Sequence, residues 1–142
     1  MSRTPISAAL RQRVAEAARF RCGYCLTSRR VIGPLLEIDH LVPEARGGSS
    51  DEMNLFLACP MCNSRKGDRI SAIDPETQLV VPLFNPRADR WSEHFEWIDG
   101  GAGLRGRTAR GRATVDALVM NHPDMVATRR LWVLAGWHPP DD

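Results

Sequence analysis

The sequence predicts an α+β fold, with a small central core flanked by an N-terminal helix and a C-terminal, mostly helical extension. Three observations lead there. All four cysteines fall within one stretch, Arg21 to Arg69, as the pairs Cys22/Cys25 and Cys59/Cys62. Inside that stretch short apolar runs are bounded by turn residues, the mark of short strands. Outside it, apolar residues recur at helical spacing. The expected segments are residues 1–20 (N-terminal helix), 21–72 (core) and 73–142 (extension packed on the core).

At 142 residues with 43% hydrophobic content, the chain suits one compact unit and excludes wholesale disorder. Its apolar runs are too short and interrupted to span a membrane. The N-terminus, MSRTPISAALRQRV, lacks the apolar core of a secretory signal. A cytoplasmic location is therefore expected. In that reducing setting, Cys-x-x-Cys pairs indicate a metal more often than disulfides. The net charge of +2 is uneven, with eleven Arg/Lys against seven Asp/Glu in residues 1–70 and eight against ten beyond. A polyanion-facing surface is thus expected in the first half.

Taken in order, Ser7–Arg19 reads as a helix capped by Ser7, with Leu10, Val14 and Ala17/Ala18 as its apolar stripe. Phe20–Leu26 reads as a zinc knuckle, repeated at Cys59–Cys62. Four thiolates at these spacings make a closed, structural Zn2+ site; a redox dithiol or a disulfide pair is the competing reading. Val31–His40 contains the first strand, with Leu35, Leu36 and Ile38 inside it. A polar loop turning at Gly47-Gly48 follows, then a buried strand, Leu55–Ala58, and a helix from about Cys62 to Arg69. Farther on, Asp74–Thr77 is a turn and Leu79–Val81 is extended. Trp91, Phe95 and Trp97 read as core, and Ile98–Leu104 as a hairpin. Thr114–Asn121 and Pro123–Ala135 read as helices that pack on each other and on the first helix.

Within this frame the pattern C-x2-C, then IDH, P, GG, NL and C-x2-CN-x2-KG resembles the HNH endonuclease family, over roughly a third of the chain. The residues concerned are Asp39, His40, Asn54 and Asn63, with Asn63 where the family name has its last His. The tail also resembles small stand-alone bacterial HNH proteins. The resemblance implies a ββα-metal core and hydrolysis of DNA phosphodiester bonds, leaving 5′-phosphate and 3′-hydroxyl ends. The chemistry suits the residues. His40 has an imidazole able to take a proton from water. Asp39 and Asn63 offer hard oxygens, which favour Mg2+ or Mn2+ as the catalytic cation. By resemblance, Asn54 braces the loop that carries His40.

DNA contact is expected from Arg65 and Lys66 on the helix, and from Arg107 and Arg110 within the run Arg105, Arg107, Arg110 and Arg112; a solvated face competes at each. Lys66 is the chain's single lysine. No base-reading module is evident, so DNA is expected to be bound with low sequence specificity. A homodimer, or a phage or defence protein, is the expected protein partner. The alternative function is a non-catalytic, zinc-stabilised nucleic-acid-binding module. A zinc-ribbon adaptor is a further rival, disfavoured because the sequence offers no apolar patch distinct from core.

Overall fold

The structure, a computed structural model, describes residues 5–141; residues 1–4 of the expected N-terminal segment and Asp142 of the extension lie outside the described residues. The first helix, α1 (Ala8–Ala17), is capped by Ser7, whose Oγ accepts from the Leu10 amide at 3.1 Å. Such a cap contributes about 1 kcal/mol. Val14 is its buried residue. Positive φ angles at Arg19 and Phe20 then end the helix and swing the chain into the first cysteine pair.

The first strand is shorter than the apolar run suggests. A one-turn helix, α2 (Arg29–Ile32), capped by Ser28, and a 3-10 turn at Gly33–Leu35 take its first half. Gly33 adopts a φ of 61°, and Pro34 cannot donate to a sheet, so pairing starts only at Glu37. Leu35 is left exposed. Strands β1 (Glu37–His40) and β2 (Leu55–Ala58) pair antiparallel, with Asp39 opposite Phe56 and His40 opposite Leu55. All four residues of β2 are buried. Helix α3 (Pro60–Lys66) begins two residues before the expected start. Cys59 caps it and Pro60 sits in the first turn, where a missing N–H costs nothing. Gly67, at a φ of 57°, stops it after Lys66. The strands β1 and β2 and helix α3 form a ββα unit, and α1 packs on its two strands.

The extension contributes hairpins as well as helices. Strands β3 (Ser71–Ile73) and β4 (Val80–Pro82) close around Asp74. After a single turn, α4 (Trp91–His94), strands β5 (Phe95–Ile98) and β6 (Gly103–Gly106) form a wider hairpin than the one expected at Ile98–Leu104. Helix α5 (Ala109–Ala117) starts five residues early, because Thr108 caps it by accepting from the Gly111 amide at 3.0 Å. It stops before the expected Asn121, where Val119 adopts positive φ. Helix α6 (Pro123–Leu134) lies where expected.

Packing departs from expectation. Helix α5 lies on β6 and on the β3–β4 hairpin, α6 lies on the turn Asp99–Gly101, and α1 lies on β1 and β2. Of the aromatics expected in the core, Phe95 is buried, and Trp91 and Trp97 pack against it partly buried, with Trp91 stacked obliquely on both; Tyr24, Phe56, Phe84 and Phe95 meet edge to face. One apolar cluster joins the four cysteines to Phe95, Leu104, Leu118 and Met120. The extension and the cysteine-bearing stretch therefore share a core. No described helix is long and apolar enough to cross a membrane.

Candidate active site and four-cysteine centre

The two knuckles converge. Cys22, Cys25, Cys59 and Cys62 are buried, and their sulfurs all lie within 4.8 Å of one another. They are free thiols, with Cys25 and Cys59 sulfurs 3.7 Å apart. The local backbone builds the site. The Cys22 amide donates to the Thr27 carbonyl and the Gly23 amide to the Leu57 carbonyl, so the first knuckle is bonded directly to β2. The Cys62 amide donates to the Cys59 sulfur at 3.4 Å, and the Thr27 hydroxyl lies 3.1 Å from the Cys25 sulfur. Burial pushes the Cys22 thiol well up, while hydrogen bonds from Cys22 and the other two thiols hold Cys25 well down. The spacing, burial and donor set fit a tetrahedral thiolate-bound ion.

Asp39 and His40 close β1. The His40 side chain is buried, and its two ring nitrogens see different groups. Nε2 is 3.0 Å from the Ser50 hydroxyl and 3.3 Å from a Glu44 carboxylate oxygen. Nδ1 is 3.8 Å from Asp39 Oδ1, and that same oxygen accepts from the His40 amide at 2.8 Å. Glu44 and Ser50 were not among the residues expected from sequence. Their only linear signal is membership of the polar loop after His40.

Asn54 spans that loop. Its Oδ1 accepts from the Val42 amide at 2.9 Å, and its Nδ2 donates to the carbonyls of Val42 (3.0 Å) and Ser49 (2.6 Å). Its carbonyl also accepts from the Leu41 amide. The loop is packed so tightly here that a Cβ on Gly48 would lie 1.7 Å from the Val42 carbonyl oxygen. Only glycine fits at that position.

Helix α3 runs beside β1. Lys66, buried rather than solvated, donates from Nζ to the His40 carbonyl at 3.3 Å. Burial lowers its pKa, and the charges of Asp39 and Asp68 oppose that shift. Asn63 lies one turn earlier on the same helix face. Its Oδ1 is buried and accepts no hydrogen bond. An unsatisfied buried carbonyl oxygen, one turn from a lysine anchored on His40, is a donor atom of the type a hard cation takes. The chemistry of this Asn63 oxygen therefore suits such an ion.

The four cations expected to touch DNA are placed differently from one another. The guanidinium of Arg65 is half-buried and donates to the carbonyls of Leu118 and Val119, tying α3 to the end of α5. Lys66 faces inward, as described. Arg110 is ion-paired with Asp89 at 2.7 Å. Arg107 is exposed; its guanidinium donates to the Ser92 carbonyl and, among the described residues, pairs with no carboxylate. The neighbouring arginines are also committed, Arg105 to Glu96 at 2.6 Å and Arg112 to Asp74 through two 2.9 Å bonds. What reads as a basic run in sequence is largely neutralised in three dimensions. His94 packs against Phe84, and its Nδ1 lies 2.7 Å from the Thr108 hydroxyl.

A ββα unit with an Asp-His pair on its strand and an asparagine on its helix, held by four cysteines, defines an HNH-type domain. The HNH endonuclease family model matches residues 22–69, so this stretch is an HNH domain. Over a longer span, the chain is similar to the Septu protein PtuB of Bacillus thuringiensis, with 26% identity across 120 residues. That alignment covers 83% of this chain and 43% of PtuB, so the chain spans less than half the length of this relative.

Proposed function

We propose that the protein is a divalent-metal-dependent endonuclease that hydrolyses DNA phosphodiester bonds. The observation that carries this reading is the buried, unsatisfied Asn63 Oδ1 on the helix face anchored to the Asp39–His40 strand end. A pure binding module has no use for such an atom on the helix that packs along the Asp39–His40 strand.

In this reading Glu44 and Ser50 hold the His40 proton on Nε2. The lone pair is then on Nδ1, on the Asp39 side, where it can take a proton from an attacking water. Asn54 fixes the loop that carries Glu44 and Ser50, and so fixes the ring. Asp39 and Asn63 would hold the cation, Mg2+ or Mn2+ by their hard oxygens. Such a cation, when bound, supplies Lewis-acid stabilisation of charge on the scissile phosphate. The four cysteines hold a structural Zn2+, which keeps β2 and α3 in place and has no open position for chemistry.

Arg107, exposed and free of carboxylates, is the best of the four expected cations for phosphate contact; the others act within the fold. DNA would be gripped by its backbone, with low sequence specificity. The likeness to a Septu protein supports a defence-system partner ahead of a homodimer. Four free cysteines suit a reducing, cytoplasmic setting.

Plasmid cleavage in Mg2+ tests the reading. His40→Ala is expected to lose activity by about 10²- to 10⁴-fold while keeping its fold and its zinc. A folded wild type that binds DNA but cuts none in Mg2+ or Mn2+ would instead establish the non-catalytic, zinc-stabilised module.

A further inference from the structure

Arg129 lies on α6, outside the HNH-matched stretch, yet only 1% of it is exposed. Its Nη1 donates to the Ala102 carbonyl at 3.1 Å and its Nη2 to the Met120 carbonyl at 2.7 Å. Its Nε is buried with no partner. Among the described residues, no carboxylate pairs with it. A guanidinium cannot shed its charge, and two carbonyl bonds do not offset the desolvation of a buried cation. A fold that keeps one inside must supply negative charge nearby.

Met120, whose carbonyl holds Nη2, belongs to the same buried cluster as all four cysteines. Burial lowers the pKa of Arg129, and the charges of the four sulfurs oppose that shift. A zinc ion with four thiolates is itself a buried anion of net charge −2, and it faces the same desolvation cost. His138, buried between Trp97 and Trp132, is kept neutral by burial and by the Arg129 charge, so its imidazole adds no cation.

We propose that Arg129 is the counter-charge of the four-cysteine zinc centre, so that α6 of the extension is a working part of that site. The guanidinium acts through space, without a bond to sulfur. The inference rests on reading the four cysteines as a zinc site. By linkage, zinc binding favours the seating of Arg129, and a seated Arg129 tightens zinc.

The test is zinc retention under graded chelator competition on the purified full chain, with folding followed by circular dichroism in excess zinc. Arg129→Lys keeps the charge. Arg129→Gln keeps an amide donor for the carbonyls and removes the charge. Arg129→Lys is expected to stay within about threefold of wild type, and Arg129→Gln to release zinc about 10- to 100-fold more readily. Cobalt in place of zinc gives a readout independent of stability: loss of the nearby cation moves the thiolate-to-cobalt band to lower energy in Arg129→Gln alone. Wild-type retention and an unshifted band in Arg129→Gln overturn the proposal. So does zinc loss from Arg129→Lys as ready as from Arg129→Gln. If Arg129→Gln does not fold in excess zinc, Arg129→Lys decides, retention supporting the proposal and loss overturning it. A wild type that binds no zinc is a different outcome; it overturns the zinc reading and this proposal with it.

Discussion

At the scale of single residues, His40 is held by groups that come from its own loop. Glu44 and Ser50 both address Nε2, so removing the carboxylate releases the ring without touching Asp39 or Asn63. Under the role proposed for His40, Glu44→Ala is expected to lower kcat by on the order of tenfold or more, with KM for DNA unchanged. Steady-state kinetics on a supercoiled plasmid would check this; a rise in KM at constant kcat would mean that Glu44 serves binding. Gly48 gives a second single-residue prediction. Its missing Cβ leaves room for the Val42 carbonyl and for the Asn54 amide at 3.0 Å. Gly48→Ala should destabilise the fold by about 2–3 kcal/mol in urea unfolding, because backbone, not a flexible side chain, must move. It should also lose cleavage, since the displaced loop is the one that orients His40. The Gly47-Gly48 turn was legible in the sequence, but the reason for its second glycine was not. That reason is a contact with Val42 and Asn54, which only the closed loop creates.

At the scale of elements, the β3–β4 hairpin is organised by one carboxylate. Asp74 is fully buried and accepts from both Arg112 donors, from the Thr77 hydroxyl and from the amides of Glu76 and Thr77. The Arg112 guanidinium is the main reason its carboxyl sits far below the usual carboxylate range. In the unfolded chain the same group titrates near pH 4. The folded form thus binds its proton at lower pH than the unfolded form. Its contribution is complete above about pH 4 and is lost as pH falls from there toward the folded value. Asp74→Asn should melt at lower temperature than wild type at neutral pH, and its acid-unfolding profile should be flatter below pH 4. A scan of melting temperature against pH would check both. The turn at Asp74–Thr77 was evident from its residue types. Its partner, Arg112, lies 38 residues away and had been grouped with a basic run. The same limit explains Arg110 and Arg105. Local spacing displays charge, while neutralisation by Asp89 or Glu96 exists only after folding. The run Val31–His40 misled in the opposite sense, since apolar content suggested a strand where Gly33 and Pro34 impose a turn.

At the scale of the whole molecule, the cysteine cluster joins the Arg65 bonds to Leu118 and Val119 in tying the central stretch to the extension. It shares a core with Phe95, Leu104, Leu118 and Met120 of the extension. Cys59→Ser, or removal of zinc by a chelator, is therefore expected to abolish the cooperative thermal transition of the full chain, extension included. Differential scanning calorimetry would check this; a single sharp transition surviving either treatment would mean that the apolar core suffices. The convergence of the four cysteines, and the place of Asp39-His40 at a strand end, could be read from sequence because they sit in short, fixed spacings. The use of α6 could not, because Arg129 gains its meaning from burial and from carbonyls at Ala102 and Met120.

The hydrogen bond from the Gly23 amide to the Leu57 carbonyl has a consequence for timing. Leu57 stands opposite Ile38, the residue next to Asp39. The first knuckle thus sets the strand whose neighbour carries Asp39. Under the roles proposed above, zinc would have to bind before the harder ion finds Asp39 in place. A freshly made chain would remain harmless to DNA until its thiols are filled, whatever the magnesium concentration around it.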